Sequence, residues 1–375
     1  MTQSTDKGVD PESQIDELTR AYQGAVPGAG LVVLRDGVPI VRRAYGLSDV
    51  EQGVAATPAT NYRLASMTKQ FTAAAILLLA EDGRLSIDDP VRRWLPTLPD
   101  AADGMVVRHW LTHRSGILDY EDLIPEGTSA PLHDADALGL LEAQDRSYFP
   151  PGTSYRYSNS GYVLLSLIAE RASGMEFASF LRERIFQPLG MCNTIAFVAG
   201  ISRVPHRAFG YSRAGDAWIR TDQSLTSSTL GDGGIYSSID DLAKWDAALG
   251  DGRLLRPETL QLAFAPATST DDPAVQYGFG WRISGETRWH TGETLGFQNV
   301  ILRYAAHCLT VILLTNRNDP PPYPAASAIA GLFLSTAAQL PAVHRSAGPD
   351  PGLRPLPQGS LAGVTGPGRG SRGRQ

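Results

Sequence analysis

The sequence predicts an α/β (α+β) protein in which an antiparallel sheet is flanked by helices and a mostly helical domain is inserted. Strand-like runs lie near both ends of the chain, at residues 29–34, 38–45, 277–283, 296–304 and 308–315. The short connections between neighbouring runs suit antiparallel pairing. Residues 85–228 contain mostly helical patterns and loops rich in Pro and Gly. Strands at both ends with helices between them predict one sheet made from both ends of the chain.

We expect the chain to divide into four parts. They are a flexible N-terminus at 1–10, an α/β domain formed by 11–66 together with 236–340, a mostly helical inserted domain at 67–235, and a disordered tail at 341–375. Pro, Gly and Arg dominate the tail, and a segment of that composition buries too little apolar surface to fold.

The first hundred residues contain clear local signals. Residues 11–25 have the spacing of an amphipathic helix, and the Asp-Gly pair at 36–37 is a hairpin turn signal between the first two strands. A buried helix is predicted to begin at Ser66, because residues 71–80 are apolar on nearly every face. Gly83 is placed to end that helix in a left-handed conformation.

Two further helices are predicted later in the chain. Ser238 opens a pattern that resembles a capping box, followed by a helix through Trp245 and Leu249. Residues 325–340 are the most apolar stretch near the C-terminus, but Ser, Thr and Gln interrupt them. We therefore expect a docked helix there and no membrane span.

The composition bounds the kind of partner. Hydrophobic residues make up 42% and charged residues 19%, a soluble globular mix. A net charge of −6 and a pI near 5.7 argue against nucleic acid or a membrane surface as a partner.

The polar first ten residues contain no signal-peptide pattern, so we expect a cytoplasmic protein, or a periplasmic or secreted one if the start site is misassigned. Cys192 and Cys308 are expected to be free thiols, and the sequence leaves the oligomeric state open.

Residues 66–69, Ser-Met-Thr-Lys, are the first candidate for chemistry. Positions i and i+3 share one face of a helix, so Ser66 and Lys69 point the same way. An amine beside a hydroxyl can make a serine nucleophilic without a histidine. These four residues alone favour a helix-capping serine followed by a surface lysine.

Two later segments can complete this pair. They are Tyr-Ser-Asn at 157–159 and His-Thr-Gly at 290–292. Taken singly, the first reads as a polar turn before a helix beginning at Gly161, and the second as a strand histidine with a satisfied hydrogen bond. His109 and His113 are four residues apart, but no acidic residue shows metalloprotease spacing. We therefore expect neither a metal nor a cofactor.

Taken together, these segments carry a family resemblance. Residues 62–69, Tyr-Arg-Leu-Ala-Ser-Met-Thr-Lys, resemble the nucleophile motif of class C β-lactamases. Relatives of those enzymes include serine DD-peptidases, β-lactamase-like esterases, and some D-amino-acid amidases and acyltransferases. Further matches follow in family order at 111–116, 157–159, 188–191, 233–238, 277–281 and 290–292. The resemblance covers roughly residues 25–335, and it implies a β-lactamase/DD-peptidase-like fold and a serine hydrolase.

The resemblance also implies a role for each catalytic residue. Ser66 is the nucleophile that forms an acyl-enzyme. Lys69 accepts a proton if burial and a second cation lower its pKa from about 10.4. Tyr157 is the second candidate base and the proton shuttle to the leaving group. Which of Lys69 and Tyr157 takes the first proton is left open.

The remaining family positions surround the substrate. Asn159 is expected to orient Lys69 and the substrate, and the backbone N–H groups of Ser66 and Glu293 to form the oxyanion hole. The strand motif supplies His290, Thr291 and Gly292.

His290 stands where most class C β-lactamases carry lysine. Histidine is mostly neutral at pH 7.5 and lacks the permanent charge that binds a substrate carboxylate. We therefore expect an esterase or amidase acting on small acyl substrates. The alternatives are a β-lactamase or D-Ala-D-Ala carboxypeptidase that binds penicillin, and a non-catalytic scaffold that kept the fold.

Residues 119–134 and 203–223 are candidate cleft loops, with Tyr120, Tyr211 and Trp218 as pocket candidates.

Overall fold

Strands from both ends of the chain meet in one antiparallel sheet of eight strands. The computed structural model describes residues 11–334, so the predicted N-terminal segment 1–10 and tail 341–375 lie outside the described residues. The strands are β1 (Ala29–Arg35), β2 (Val38–Tyr45), β3 (Leu47–Asp49), β4 (Val54–Ala55), β5 (Tyr62–Arg63), β6 (Ile195–Ala196), β7 (Tyr211–Ala214), β8 (Ala217–Arg220), β9 (Ile235–Ser237), β10 (Thr268–Ser269), β11 (Gln276–Tyr277), β12 (Arg282–Ser284), β13 (Thr287–Thr294), β14 (Phe297–Tyr304) and β15 (Leu309–Thr315).

The helices lie mainly between the two groups of strands. They are α1 (Pro11–Leu18), α2 (Lys69–Glu81), α3 (Val91–Trp94), α4 (Val107–Leu111), α5 (Asp134–Glu142), α6 (Asn159–Ser173), α7 (Phe177–Leu181), α8 (Ile239–Asp251), α9 (Pro257–Ala263) and α10 (Pro322–Phe333). Short 3₁₀ turns include Ala65–Thr68 and Tyr120–Leu123, and a π-helical turn, Arg182–Phe186, extends α7. None of the helices within residues 11–334 is long and apolar enough to cross a membrane.

The order of the main sheet explains how the two ends combine. It runs β10-β11-β12-β13-β14-β15-β1-β2, and every pairing is antiparallel. Strand β1 therefore lies between its hairpin partner β2 and β15, with Leu31 opposite Leu313. The predicted antiparallel sheet flanked by helices is confirmed, whereas the predicted domain boundaries stay predictions.

Helices cover both faces of this sheet. Leu31 and Val33 of β1 face the cluster that includes α1 and α10, whereas Val32 and Leu34 face the larger cluster that includes α2 and α8. Side chains alternate between the faces of a strand, so the buried residues 29–34 of β1 contribute side chains to both cores. The sheet thereby gives α2 a rigid support.

The buried helix begins later than predicted. Residues 65–68 form a 3₁₀ turn, with Ala65 at φ +49°, and the α-helix starts at Lys69. Gly83 ends it as predicted, at φ +68°, with its N–H donating to Ala80 O and the Arg84 N–H donating to Leu79 O. Ser66 thus lies on a tight turn leading into the helix.

Two other helix starts follow from their capping side chains. The Ser238 hydroxyl accepts from the Asp241 N–H, so α8 begins where the capping pattern predicts. The Ser158 hydroxyl accepts from the Gly161 N–H, and α6 therefore begins at Asn159, two residues before the predicted start. Asn159 is consequently held on the first turn of a helix.

The predicted strand at 277–283 is interrupted. It divides into β11 and β12, because residues 278–281 form a turn in which the Gly278 N–H donates to Trp281 O. Gly280 has φ +77°, and a Cβ there would lie 2.8 Å from Lys69 O and 3.0 Å from Gln70 Cα. This turn therefore packs directly on the first residues of α2.

Replacing Gly280 with alanine tests this contact. We expect G280A to be destabilised by about 1–3 kcal/mol more than G83A, because overpacking adds to the strain of the left-handed backbone. Gly83 is the matched control, since it has φ +68° and nothing within 4 Å of its Cβ position. Urea unfolding of both variants measures the difference, and equal losses would show that the contact is not tight.

Candidate active site

Four segments bring the predicted residues together. The turn before α2 carries Ser66, α2 begins with Lys69, and α6 begins with Asn159. The loop after Thr229 carries Asp232, whose backbone oxygen contacts Lys69. Strand β13 carries His290 and Gly292. The structure thus assembles in space the segments that are far apart in the sequence.

The Lys69 amine lies at the centre of this assembly. Its side chain is fully buried, and Nζ donates to Asn159 Oδ1 at 2.8 Å, Ser66 Oγ at 3.0 Å and Asp232 O at 3.1 Å. Burial lowers the pKa of Lys69 to about 8, nearby carboxylates oppose that shift, and Arg282 adds to it. Near pH 8, a large fraction of the amine is neutral and able to accept a proton from Ser66.

Strand β13 fixes the turn that carries Ser66. A Cβ on Gly292 would lie 2.0 Å from Leu64 O, so only glycine allows the strand to approach this backbone. Ala65, the residue between Leu64 and Ser66, has a strained backbone with φ +49°. Glu293 is the next residue on β13, opposite Gln298 of β14. The oxyanion roles of the Ser66 and Glu293 N–H groups stay predictions.

Tyr157 is held beside Lys69 by His113. The two rings lie 4.3 Å apart between centroids, and the Ser158 N–H donates to His113 Nδ1 at 3.1 Å. Lys69 Nζ lies 4.9 Å from the centroid of the Tyr157 ring. His113 therefore supports the segment that carries the second candidate base.

The two histidines with helical spacing make separate backbone contacts. Nδ1 of His109 accepts from the Val106 N–H at 3.3 Å, whereas Nδ1 of His113 accepts from Ser158. Within residues 11–334, no group of three or more His, Cys, Asp or Glu side chains is arranged to hold a metal.

His290 is fully buried and neutral. Its Nδ1 donates to Thr291 O at 2.5 Å, so Nε2 accepts from the Tyr277 hydroxyl at 3.0 Å. Burial, with smaller effects of Arg282 and Lys69, holds the pKa of His290 well below 6.5. His290 thus supplies a hydrogen-bonded support for the site and no positive charge.

Three charged residues at this site, Asp232, Arg282 and Glu121, are not among the site residues that the sequence predicts. Arg282 lies on β12 with its guanidinium carbon 5.5 Å from the centroid of the Tyr157 ring. Glu121, on the 3₁₀ turn Tyr120–Leu123, accepts from Asn159 Nδ2 at 3.0 Å. Arg282 directly follows the family match at 277–281, and Glu121 lies in a predicted cleft loop, so position along the chain was the available signal for both.

Two of the three aromatic pocket candidates have no exposed surface. They are Tyr120 and Tyr211, and the Tyr211 hydroxyl donates to Glu51. The centroid of the Trp218 ring lies 5.3 Å from the guanidinium carbon of Arg213 and 4.2 Å from that of Arg317.

The Lys69 environment predicts a pH dependence. The neutral amine is the active form, so acylation of Ser66 is expected to rise with pH and reach half its plateau near pH 8. The check is kcat/KM for a neutral ester between about pH 6 and pH 9.5, corrected for spontaneous hydrolysis. A profile that is flat over this range would contradict the assignment of Lys69 as the base.

Comparisons with known proteins show what this chain is similar to. The family model described as Beta-lactamase matches residues 12–334. Penicillin-binding protein 4* of Bacillus subtilis (strain 168) is 32% identical, covering 78% of this chain and 69% of its own length. D-aminopeptidase of Gluconobacter oxydans (strain 621H) is 30% identical over 81% of this chain. This chain spans 58% of the length of that protein, which is less than two thirds. The structure of D-amino acid amidase from Ochrobactrum anthropi SV3 complexed with L-phenylalanine amide has a TM-score of 0.74 and 26% identity, covering 86% of this chain and 99% of that one.

Proposed function

The chain belongs to the beta-lactamase family of serine hydrolases, and we propose that it forms an acyl-enzyme on Ser66 with small esters or amides. The observation that carries the proposal is the contact between Lys69 Nζ and Ser66 Oγ, at 3.0 Å, inside a buried site. A serine hydroxyl is a weak nucleophile at neutral pH unless a base accepts its proton. A buried amine with a lowered pKa is such a base.

The proposed reaction has two stages. Ser66 Oγ attacks the substrate carbonyl while its proton passes to Lys69, and backbone N–H groups of Ser66 and Glu293 stabilise the oxyanion. Tyr157 delivers a proton to the leaving alcohol or amine, which completes the acyl-enzyme. Water then attacks the acyl carbonyl and gives its proton to the Tyr157 oxygen, the bond from the acyl carbon to Ser66 Oγ breaks, and Lys69 returns its proton to Oγ. In this proposal Lys69 is the first acceptor, because its Nζ lies 3.0 Å from Ser66 Oγ.

The surroundings of His290 support neutral acyl substrates. Both ring nitrogens are already hydrogen-bonded, and the ring is neutral and buried. A substrate carboxylate therefore finds no charge at the position where lysine would provide one. The proposed partners are small molecules, and the net charge of −6 supports this over nucleic acid or an anionic membrane.

Arg282 favours a second candidate function. Its guanidinium is a permanent cation on the strand adjacent to β13, close to the Tyr157 ring. A β-lactam, or a peptide ending in D-Ala-D-Ala, carries a carboxylate that such a group can bind. Penicillin binding or DD-carboxypeptidase activity through the same Ser66 is therefore the alternative.

A substrate panel tests the proposal. We expect wild type to hydrolyse p-nitrophenyl acetate or butyrate, or a D-amino acid amide, and S66A to lose about 10³-fold or more, as when other hydrolases lose their nucleophile. Intact-mass measurement after a fluorophosphonate should show one adduct, absent in S66A. Equal turnover by S66A would contradict the proposal, and failure of wild type to label or turn over would favour the scaffold interpretation.

Arg282 separates the two substrate classes. If it binds a carboxylate, R282Q should lower the acylation rate with benzylpenicillin about tenfold or more relative to the rate with a neutral ester, since charge-assisted contacts contribute about 1.5–3 kcal/mol. The ratio of the two rates removes any effect of Arg282 on Lys69. R253Q is the control, because Arg253 is exposed and paired with Asp251. An unchanged ratio in R282Q would exclude this alternative role.

A further inference from the structure

The Asn159 amide connects the catalytic lysine to a carboxyl group. Its Oδ1 accepts from Lys69 Nζ at 2.8 Å, and its Nδ2 donates to Glu121 Oε1 at 3.0 Å. When Lys69 is an ammonium group it only donates, and when Glu121 is a carboxylate it only accepts, so in these states both partners demand the same orientation of the amide. Without Glu121, rotation of the amide by 180° would no longer break a second hydrogen bond.

The turn that carries Glu121 is held by a hydrogen bond to Asp119, just before the turn, and by hydrogen bonds to two neighbouring segments. The Asp119 side chain accepts from the Glu121 N–H at 3.2 Å, and the Tyr120 N–H donates to Ser160 Oγ on α6 at 2.8 Å. The buried Tyr120 hydroxyl lies 3.4 Å from Asp232 Oδ2. The turn is thus bonded to the helix that carries Asn159 and to the loop whose backbone oxygen contacts Lys69.

Charged groups from several elements face Glu121. Burial, with Asp119 of the same turn and Asp232 of the loop, raises the pKa of Glu121 to about 8, and Lys69 opposes that shift. Burial lowers the pKa of Lys69 to the same range, with Arg282 on β12 adding to the shift. The exposed Asp122 completes the charges on the turn. The Asp119 and Asp232 carboxylates are thus the main charged influences on Glu121, and all three acidic groups act on the Lys69 amine.

We propose that Glu121 is a positioning residue, which fixes the Asn159 amide against Lys69 and sets the charge next to the amine. The proposal rests on the proposed function of Ser66 and Lys69. Glu121 touches neither the nucleophile nor the general base, so it acts on Lys69 through the Asn159 amide and through the charge of its carboxylate. An anionic Glu121 favours the protonated amine, which means that removing its charge should make Lys69 easier to deprotonate.

The lysine content of the chain permits a test that does not depend on turnover. The sequence contains three lysines, Lys7, Lys69 and Lys244. Lysine labelled with ¹³C at Cε therefore gives three signals, and K69R identifies the one from Lys69. The full chain is titrated by NMR as wild type, E121Q, E121A and D122N. Asp122 is the matched control, because it is an exposed carboxylate on the same turn.

The proposal predicts a distinct result for each variant. The midpoint of Lys69 should move to lower pH by about half a unit or more in E121Q and E121A, and stay at the wild-type value in D122N. E121Q keeps an acceptor for Asn159, so its plateau kcat with a p-nitrophenyl ester should stay within about threefold of wild type. E121A loses that acceptor, and its kcat should fall about tenfold with KM little changed.

Two results would overturn the proposal. One is an unchanged Lys69 midpoint in both Glu121 variants, and the other is an equal shift in D122N. The nearly isosteric E121Q guards against loss of folding, which thermal unfolding checks. An absence of ester turnover in wild type would count against the proposed function, whereas the NMR titration would still decide the role of Glu121.

Discussion

Burial of one amine is the constraint on which the rest of this site depends. Lys69 has no exposed surface, yet its Nζ contacts three oxygen atoms, and water is replaced by those fixed partners. Desolvation favours the neutral amine, whereas the surrounding carboxylates favour the ammonium. The balance leaves the lysine close to deprotonation at mildly alkaline pH. A base of that kind activates a serine without an imidazole.

The fold maintains this burial by packing backbone against backbone. Gly292 lets β13 lie on the segment before Ser66, and Gly280 lets the β11–β12 turn lie on Lys69 itself. Gly292 lies on β13 and Gly280 in the turn between β11 and β12, both in the C-terminal part of the sheet, whereas Ser66 follows the N-terminal strands. The antiparallel joining of β1 to β15 is therefore what closes the site. His290 and Tyr277 fill the adjoining space with a neutral, hydrogen-bonded pair.

Local sequence signals predicted much of this arrangement and missed its long-range contacts. The Gly83 helix end, the Ser238 cap and the antiparallel strands each follow from short patterns, and the structure confirms them. The spacing of Ser66 and Lys69 correctly placed their side chains together, although on a 3₁₀ turn. The break at Gly280 depends on packing against α2, and the Asn159–Glu121 contact joins residues whose pairing no local pattern records. Such contacts depend on tertiary packing, which overrides propensity.

The charge state of Lys69 is the central claim, and its titration tests that claim most directly. The ¹³Cε signal of Lys69, followed from about pH 6 to pH 11 in the native full-length protein, reports protonation without any substrate. The structure predicts a midpoint near 8. A midpoint near 10.4, the value of a free lysine, would contradict the account, since Lys69 would then remain an ammonium throughout the neutral range and could not serve as the base for Ser66.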